Sequence, residues 1–294
     1  HAAMSQPLIG KLAIYGVGLI GGSFALALKA AGAVGKVVGQ GRSRANLDLA
    51  LEAGAIDAVA RDDRDAVADA DLVLLAMPVG QMAPVMRRIA PWLGAHTVVT
   101  DAGSTKRDVI ALASEHLHAS AARFVPAHPI AGAERSGAGA ARAELFRDRH
   151  LILTPIAGND PQAVALVRRA WEIAGMRVSS MDAQRHDEVL AAVSHLPHVL
   201  SYALVHELAG RADAEHLFAL AAGGFRDFTR IAGSSPEMWR DICVSNRDLI
   251  LEELARYRAE IERLAALLQA ADGAGLEALF SAARAARNRW LQIR

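Results

Sequence analysis

The chain is short of cysteine and of any charge excess, and each shortage excludes something. Cys243 is the only cysteine in 294 residues, so no intrachain disulfide can form and a reducing compartment, the cytoplasm, is expected. Its thiol reads as a small packed hydrophobe. Lys plus Arg and Asp plus Glu both number 32, so no general polyanion-binding surface is foreseen and nucleic acid is not an expected partner. No apolar run approaches membrane-spanning length and no basic-then-apolar leader opens the chain, so no membrane partner is expected either. The 11 histidines form no pair with a suitably spaced acidic or cysteine partner, and His195 and His198 stand three apart without one. A metal site is not expected.

What remains is a globular composition, 52% hydrophobic and 22% charged, with ample length for a core. The organising stretch is Leu12-Ala-Ile-Tyr-Gly-Val-Gly-Leu-Ile-Gly-Gly-Ser23. A short apolar run meets Gly16, Gly18 and Gly21, and a small-residue helix follows, which is GxGxxG in its strand–turn–helix setting. Gly16 permits the turn, Gly18 lets backbone approach a pyrophosphate, and Gly21 lets helix pack on strand. Leu19 and Ile20 open the helix, whose free N–H groups and positive dipole end suit phosphate. A dinucleotide cofactor is expected.

Strand signals then alternate with helical ones: Lys36–Gln40, a helix capped by Ser43, a weak strand at 55–60, and the apolar run 71–78 that ends at Pro78. Further strands are expected at 97–101, 123–126, 151–154 and 176–179, with helices at 81–89, 106–117 and 161–174. The pattern predicts an α/β fold, a doubly wound and mainly parallel sheet, over residues 8–181. From residue 182 to 294 helical periodicity takes over, with long amphipathic stretches at 249–268 and 276–291. This part reads as an all-helical domain whose apolar faces suit a homodimer interface. The arginines of the tail, Arg284, Arg287, Arg289 and Arg294, read as a solvated helix face.

Four segments break the local pattern. Asp101-Ala-Gly-Ser104-Thr-Lys106 follows a strand, at the sheet edge where ligands bind. His128 lies between Pro126 and Pro129 in a rigid, non-helical piece. Ser194-His195-Leu-Pro197-His198 interrupts a helix; Ser194 and His198 share a face, and Pro197 crowds the carbonyl of Val193, which predicts a kink. The stretch from Gly223 to Trp239 mixes glycines, aromatics and Arg/Asp pairs, the makings of an anion site.

Together, GVGLIGGS, DAGSTK, HPIAGAE, SHLPH and GGFRDFTRIAGSSPEMW resemble the prephenate dehydrogenases, the TyrA-type enzymes of tyrosine biosynthesis, from Leu12 to about Ile250. The resemblance implies a Rossmann domain followed by a helical dimerisation domain. It implies oxidative decarboxylation of prephenate to 4-hydroxyphenylpyruvate with hydride transfer to NAD(P). His128 would be the base, because a histidine that titrates near neutrality suits removal of the hydroxyl proton. Ser104 would hold the same hydroxyl. Arg230 would bind a substrate carboxylate, with Asp227 positioning it. His198 would contact the pyruvyl side chain, and Ser194 and His195 would line the pocket. Tyrosine, which shares a phenol ring and a carboxylate with the product, is a candidate feedback inhibitor. No further domain is expected.

Two departures from the family pattern matter. Where many members carry an acid for the adenosine ribose, this chain reads Gly39-Gln40-Gly41-Arg42-Ser43-Arg44. Arg42, Ser43 and Arg44 therefore read as a pocket for a 2′-phosphate, and NADP is favoured over NAD. Ala133 stands where some relatives have Thr. The alternatives are an arogenate-using or dual-specificity cyclohexadienyl dehydrogenase and, from another class, a non-catalytic NADP-sensing regulator. The joint presence of Ser104, His128 and Arg230 argues against the regulator.

Overall fold

The computed structural model describes residues 6–132 and 135–293. Ala133 and Glu134, from the HPIAGAE segment, and Arg294 lie outside the described residues. Six parallel strands form the main sheet: β1 (Ile9–Tyr15), β2 (Val34–Gln40), β3 (Ala58–Val59), β4 (Leu72–Leu75), β5 (Val98–Asp101) and β6 (Phe124–Val125), in the order β3-β2-β1-β4-β5-β6. This is the doubly wound order, and the chain reverses direction across the sheet between β1 and β4, the place where such sheets open a ligand crevice. All four residues of β4 are buried, as an apolar run covered on both faces should be.

Helices α1 (Leu19–Ala30), α2 (Arg44–Glu52), α3 (Asp63–Val67), α4 (Met82–Ile89) and α5 (Arg107–His116) connect these strands. Ser43 caps α2, as expected, by accepting from the Asn46 amide. After β6 the chain departs from the single-sheet expectation. Pro126 follows β6 and cannot donate to a ladder, and the chain turns into a separate three-stranded sheet: β7 (Ala127–Ile130), β8 (His150–Leu153) and β9 (Arg177–Ser180). β7 pairs antiparallel with β8, opposing His128 to Ile152, and β8 pairs parallel with β9. Pro129 is tolerated because β7 is an edge strand. Helix α6 (Pro161–Ile173) buries Trp171 against Phe24 of α1 and edge-on to Phe146, at centroid distances of 4.3 and 5.1 Å. Each such aromatic contact contributes about 0.5–1.5 kcal/mol beyond its burial.

Helix α7 (Ala183–Leu190) runs through one π-helical turn, Ala191–His195, into α8 (Leu196–Ala209). The expected kink at Pro197 takes this form: the Leu196 amide bonds back to the Ala191 carbonyl, one residue further than in an α-helix. Contrary to expectation, the helical run from Ala183 to Ala209 is long and apolar enough to cross a membrane by composition, with a mean hydropathy of 1.3 over its most apolar 18 residues. His186, Asp187, His195, Ser201 and Tyr202 of this run, however, are hydrogen-bonded to other parts of the protein, as described below. Short helices α9 (Ala214–Ala219) and α10 (Gly223–Thr229) precede α11 (Pro236–Ser245).

The chain forms two compact units, the first ending at Arg247 and the second running from Asp248. The spatial division therefore falls later than the change of sequence character at 182. The reason is that α7 is bonded to the start of α5, with the Asp187 carboxylate accepting from the Lys106 and Arg107 amides at 2.9 and 3.0 Å. In the second unit, α13 (Gly273–Gln292) is capped by Asp272 and follows α12 (Arg247–Gln269), in agreement with the amphipathic stretches expected there.

Candidate active site

A cleft of about 600 Å³ opens at the carboxyl ends of β1, β2 and β4. The three glycines behave as their types require. Gly16 has φ +86°, and a Cβ there would strike the backbone of Ala76 and Met77 at 2.8 Å. A Cβ on Gly21 would lie 2.6 Å from the Gly16 carbonyl, so this residue sets the helix–strand distance. A Cβ on Gly18 would meet nothing within 4 Å, so the space beside it is open, and α1 starts there without a side-chain cap. Bare amides of a helix start facing an open cleft fit a dinucleotide pyrophosphate. Leu19 and Ile20 pack against the core, so only their backbone is placed to serve that role.

Gln40, Arg42 and Ser43 line the cleft, while Arg44 does not: it turns away and pairs with Asp48 at 2.9 Å. This corrects the expectation of a two-arginine phosphate pocket, because Arg44 is the first residue of α2 and finds its carboxylate four residues on. Arg42 is also engaged, by Glu237 of α11, whose carboxylate in turn accepts from Gln81 at 2.9 Å. Asn46 braces the glycine turn, donating to the Val17 carbonyl at 2.6 Å and accepting from the Ala138 amide at 2.9 Å.

Beyond the cleft lies a buried polar cluster. Lys106 and Asp101 form a fully buried ion pair. Lys106 Nζ also donates to the Ala127 carbonyl at 2.8 Å, and the Ala127 amide donates to Asp101 at 3.0 Å. The residue before His128 is thus gripped on both sides from β5 and the DAGSTK loop, and this ties the half-buried Ser104 loop to the strand carrying His128. His128 is buried, and its Nδ1 lies 2.8 Å from His186 Nε2. His186 Nδ1 lies 2.7 Å from the Asp187 carboxylate. Burial, then the nearby charges of His186 and Lys106, hold His128 well below the ordinary histidine range. Burial works against the Asp187 carboxylate, but the His186 bond and the two α5 amides hold it low and ionised.

Asn246 extends the cluster. Its amide donates to the Asp187 carbonyl at 3.0 Å and to His195 Nδ1 at 3.1 Å, while its oxygen accepts from Arg107 at 2.7 Å. His195 is completely buried, its Nε2 has no partner among the described residues, and burial pushes its pKa down to about 4. His198 stacks on Trp239 at 3.7 Å and donates from Nδ1 to the Ser194 carbonyl at 2.8 Å. Burial lowers the His198 pKa, the Ser194 bond opposes this, and the Arg230 guanidinium adds to the lowering, so Arg230 stands close by. Ser201 and Tyr202 of α8 bond the Phe228 and Ser234 carbonyls and hold the Arg230 turn. Asp227 departs from expectation: it is exposed on α10 and, among the described residues, makes no ion pair with Arg230. Among the described residues no histidine, cysteine and carboxylate group could hold a metal ion.

Contacts thus run from His128 through His186, Asp187 and Asn246 to His195, and through the Trp239 ring to His198, which is bonded to the Ser194 carbonyl and faces the Arg230 charge. His186, Asp187, Asn246, Glu237 and Asn46 escaped the sequence reading. His186 and Asp187 gave no usable signal, because they stand in the polar stretch 183–188 beside Gln184, Arg185 and Glu188 and read as a solvated helix face.

Two family profiles cover most of the chain: the prephenate dehydrogenase nucleotide-binding domain matches residues 24–180, and the prephenate dehydrogenase dimerization domain matches residues 182–282. The chain belongs to the prephenate dehydrogenase family. Among relatives, a cyclohexadienyl dehydrogenase of Zymomonas mobilis is 39% identical over 94% of both chains. A prephenate dehydrogenase of Bacillus subtilis is 36% identical over 92% of this chain and 73% of its own. A solved prephenate dehydrogenase from A. aeolicus, in complex with hydroxyphenyl propionate and NAD+, superposes with a TM-score of 0.87 at 32% identity, covering all of both chains. This member of the family is an NAD(P)-dependent dehydrogenase with a Rossmann domain and a helical C-terminal domain.

Proposed function

We propose that this protein converts prephenate to 4-hydroxyphenylpyruvate and carbon dioxide, reducing a nicotinamide cofactor. The observation that carries the reading is His128: a buried, uncharged imidazole bonded to His186, on a strand whose Ala127 is gripped by Lys106 and Asp101 of the DAGSTK segment. The bound nicotinamide supplies the hydride acceptor. The chain supplies the rest. His128 takes the proton of the ring hydroxyl, with Ser104 holding that hydroxyl. Arg230 grips a carboxylate of this dianionic substrate with a planar, two-pronged donor. Ser194, His195 and His198 line the pocket, and the unpartnered Nε2–H of His195 offers a donor. Loss of the ring carboxylate makes the ring aromatic and drives the reaction. Appearance of reduced cofactor on mixing with prephenate tests the reading, and absence of turnover with either nicotinamide sinks it.

A second reading, use of arogenate alone or with prephenate, is favoured by the 39% identity to the cyclohexadienyl dehydrogenase. The same assay run with arogenate separates the two. For the cofactor we favour NADP, with Arg42 exchanging Glu237 for the 2′-phosphate, because the end of β2 offers no acid to repel it. Tyrosine is proposed to compete in the substrate pocket; tyrosine binding undiminished by saturating prephenate would place its site elsewhere. The working form is proposed to be a homodimer in the cytoplasm. The match to the dimerization domain supports the dimer, as do exposed Val193, Leu220 and Phe228, and the single cysteine suits the compartment.

A further inference from the structure

Three side chains from two elements form a continuous buried line: His128 of β7, then His186 and Asp187 of α7. Each hydrogen bond in it fixes the next. The Asp187 carboxylate is an acceptor only, so His186 Nδ1 carries the proton and His186 Nε2 is bare in the neutral ring. Nε2 is then the acceptor for His128, whose Nδ1 must carry a proton. The remaining nitrogen of His128, Nε2, is therefore bare, and it is the one able to accept a proton. Neither tautomer needs assigning by choice; the carboxylate at the end of the line dictates both.

We propose that His186 is a proton-relaying and positioning residue: it fixes His128 in the tautomer whose Nε2 accepts the substrate proton, and it receives the His128 Nδ1 proton in turn. This rests on the reading of His128 as the base. The steps balance as proton transfers alone. The substrate O–H bond breaks and an Nε2–H bond forms on His128. The His128 Nδ1–H bond breaks and a His186 Nε2–H bond forms. His128 is left neutral with its proton moved from one nitrogen to the other, and His186 becomes an imidazolium against Asp187.

The surroundings explain why a lone His128 would serve poorly. It is buried, and the Lys106 ammonium and His195 face it, so a positive charge held on His128 itself is disfavoured. Asp101 is committed to Lys106 and to the Ala127 amide. Moving the charge outward to His186 brings it to a carboxylate already held by the Lys106 and Arg107 amides and by Arg107 Nε at 3.0 Å. The two imidazoles then titrate as a pair rather than as two independent groups.

Two measurements on the full-length protein test this. In two-bond proton–nitrogen spectra of 15N-histidine-labelled enzyme near neutral pH, His128 and His186 should both show protonated Nδ1 and bare Nε2, with His128→Asn and His186→Asn samples giving the assignments. A His128 ring protonated at Nε2 overturns the proposal. In kinetics, His186→Gln should lower kcat by about tenfold or more, leave substrate KM within about threefold, and move the acid limb of kcat/KM to lower pH because the base is weakened. An unchanged kcat and limb, with only the melting temperature lowered, makes His186 merely structural and also overturns it. The spectra need no substrate, so they decide the relay even if prephenate is not turned over. A wild-type chain inactive on prephenate defeats only the functional reading.

Discussion

Glu237 accepts two hydrogen bonds from Arg42, both at 3.0 Å, across 195 positions of sequence. The acid missing from the end of β2 is thus supplied by α11, and it occupies the one arginine of that loop that lines the cleft. The pair is solvent-exposed on the Arg42 side, so it contributes about 0–1 kcal/mol and a phosphate dianion can displace it. Glu237→Gln should raise the NADP-to-NAD ratio of kcat/KM by about tenfold, by freeing Arg42 and removing a like charge. Arg42→Ala should lower it. A ratio indifferent to both substitutions would remove this pair from cofactor choice.

Replacing His128 with Asn should leave the fold and cofactor affinity intact and cut kcat by about 100-fold or more, since proton removal alone is lost. Circular dichroism and cofactor titration serve as the controls. Turnover close to wild type would require another base.

Lys106→Met removes the cation paired with the fully buried Asp101, whose carboxyl burial already pushes up, and should cost about 3–5 kcal/mol in urea unfolding. Adding Asp101→Leu should recover a good part of the loss, because the two deletions act on one interaction. Simple additivity of the two effects would show that the pair is not coupled.

Arg230→Ala should raise substrate KM with little change in melting temperature, since Arg230 is an exposed residue beside His198. A collapse of stability with unchanged affinity would mark it as a structural group instead.

Acid should destabilise the fold in a defined window. Burial holds His195 at about 4 and lowers His128 and His186 as well, whereas the unfolded chain binds these protons near pH 6.5. Between those values the unfolded state takes up more protons, so stability is full above about pH 6.5 and declines as pH falls toward 4. His195 alone accounts for a loss of about 2 kcal/mol by pH 5. Melting curves from pH 7.5 to 5 should show the decline, and His195→Asn should flatten it. A flat wild-type profile would contradict the burial of these rings.

Much of this site could be read from local sequence because its parts are local. The glycine turn is specified by backbone space within a few residues, and each of Gly16, Gly18 and Gly21 meets the surroundings its role demands. The apolar run of β4 announces a strand buried on both faces. The second sheet could not be read this way. β7 and β8 are separated by 19 residues, and the pattern around 127–130 gives no sign of which sheet will take the strand. The polar cluster was hidden for a similar reason. Asp187, Lys106 and Asn246 are each ordinary surface residue types, and only the packing of α7 on α5 makes them partners. Arg44 shows the opposite failure, a promising local pattern diverted by an acid four residues away.

The π turn between α7 and α8 has a consequence for rotational phase. His186 and His195 are nine residues apart, which in an uninterrupted α-helix, at about 100° per residue, would set them on opposite faces. The wide turn absorbs one residue, so the effective separation is that of eight, and both rings come round to the side where Asp187 and Asn246 connect them. Tightening 191–195 to a regular α-helical turn with every residue kept would swing His195 and His198 about 100° away from His186. The wide turn, by absorbing the extra residue, is thus the angular spacer that keeps two halves of one site in register.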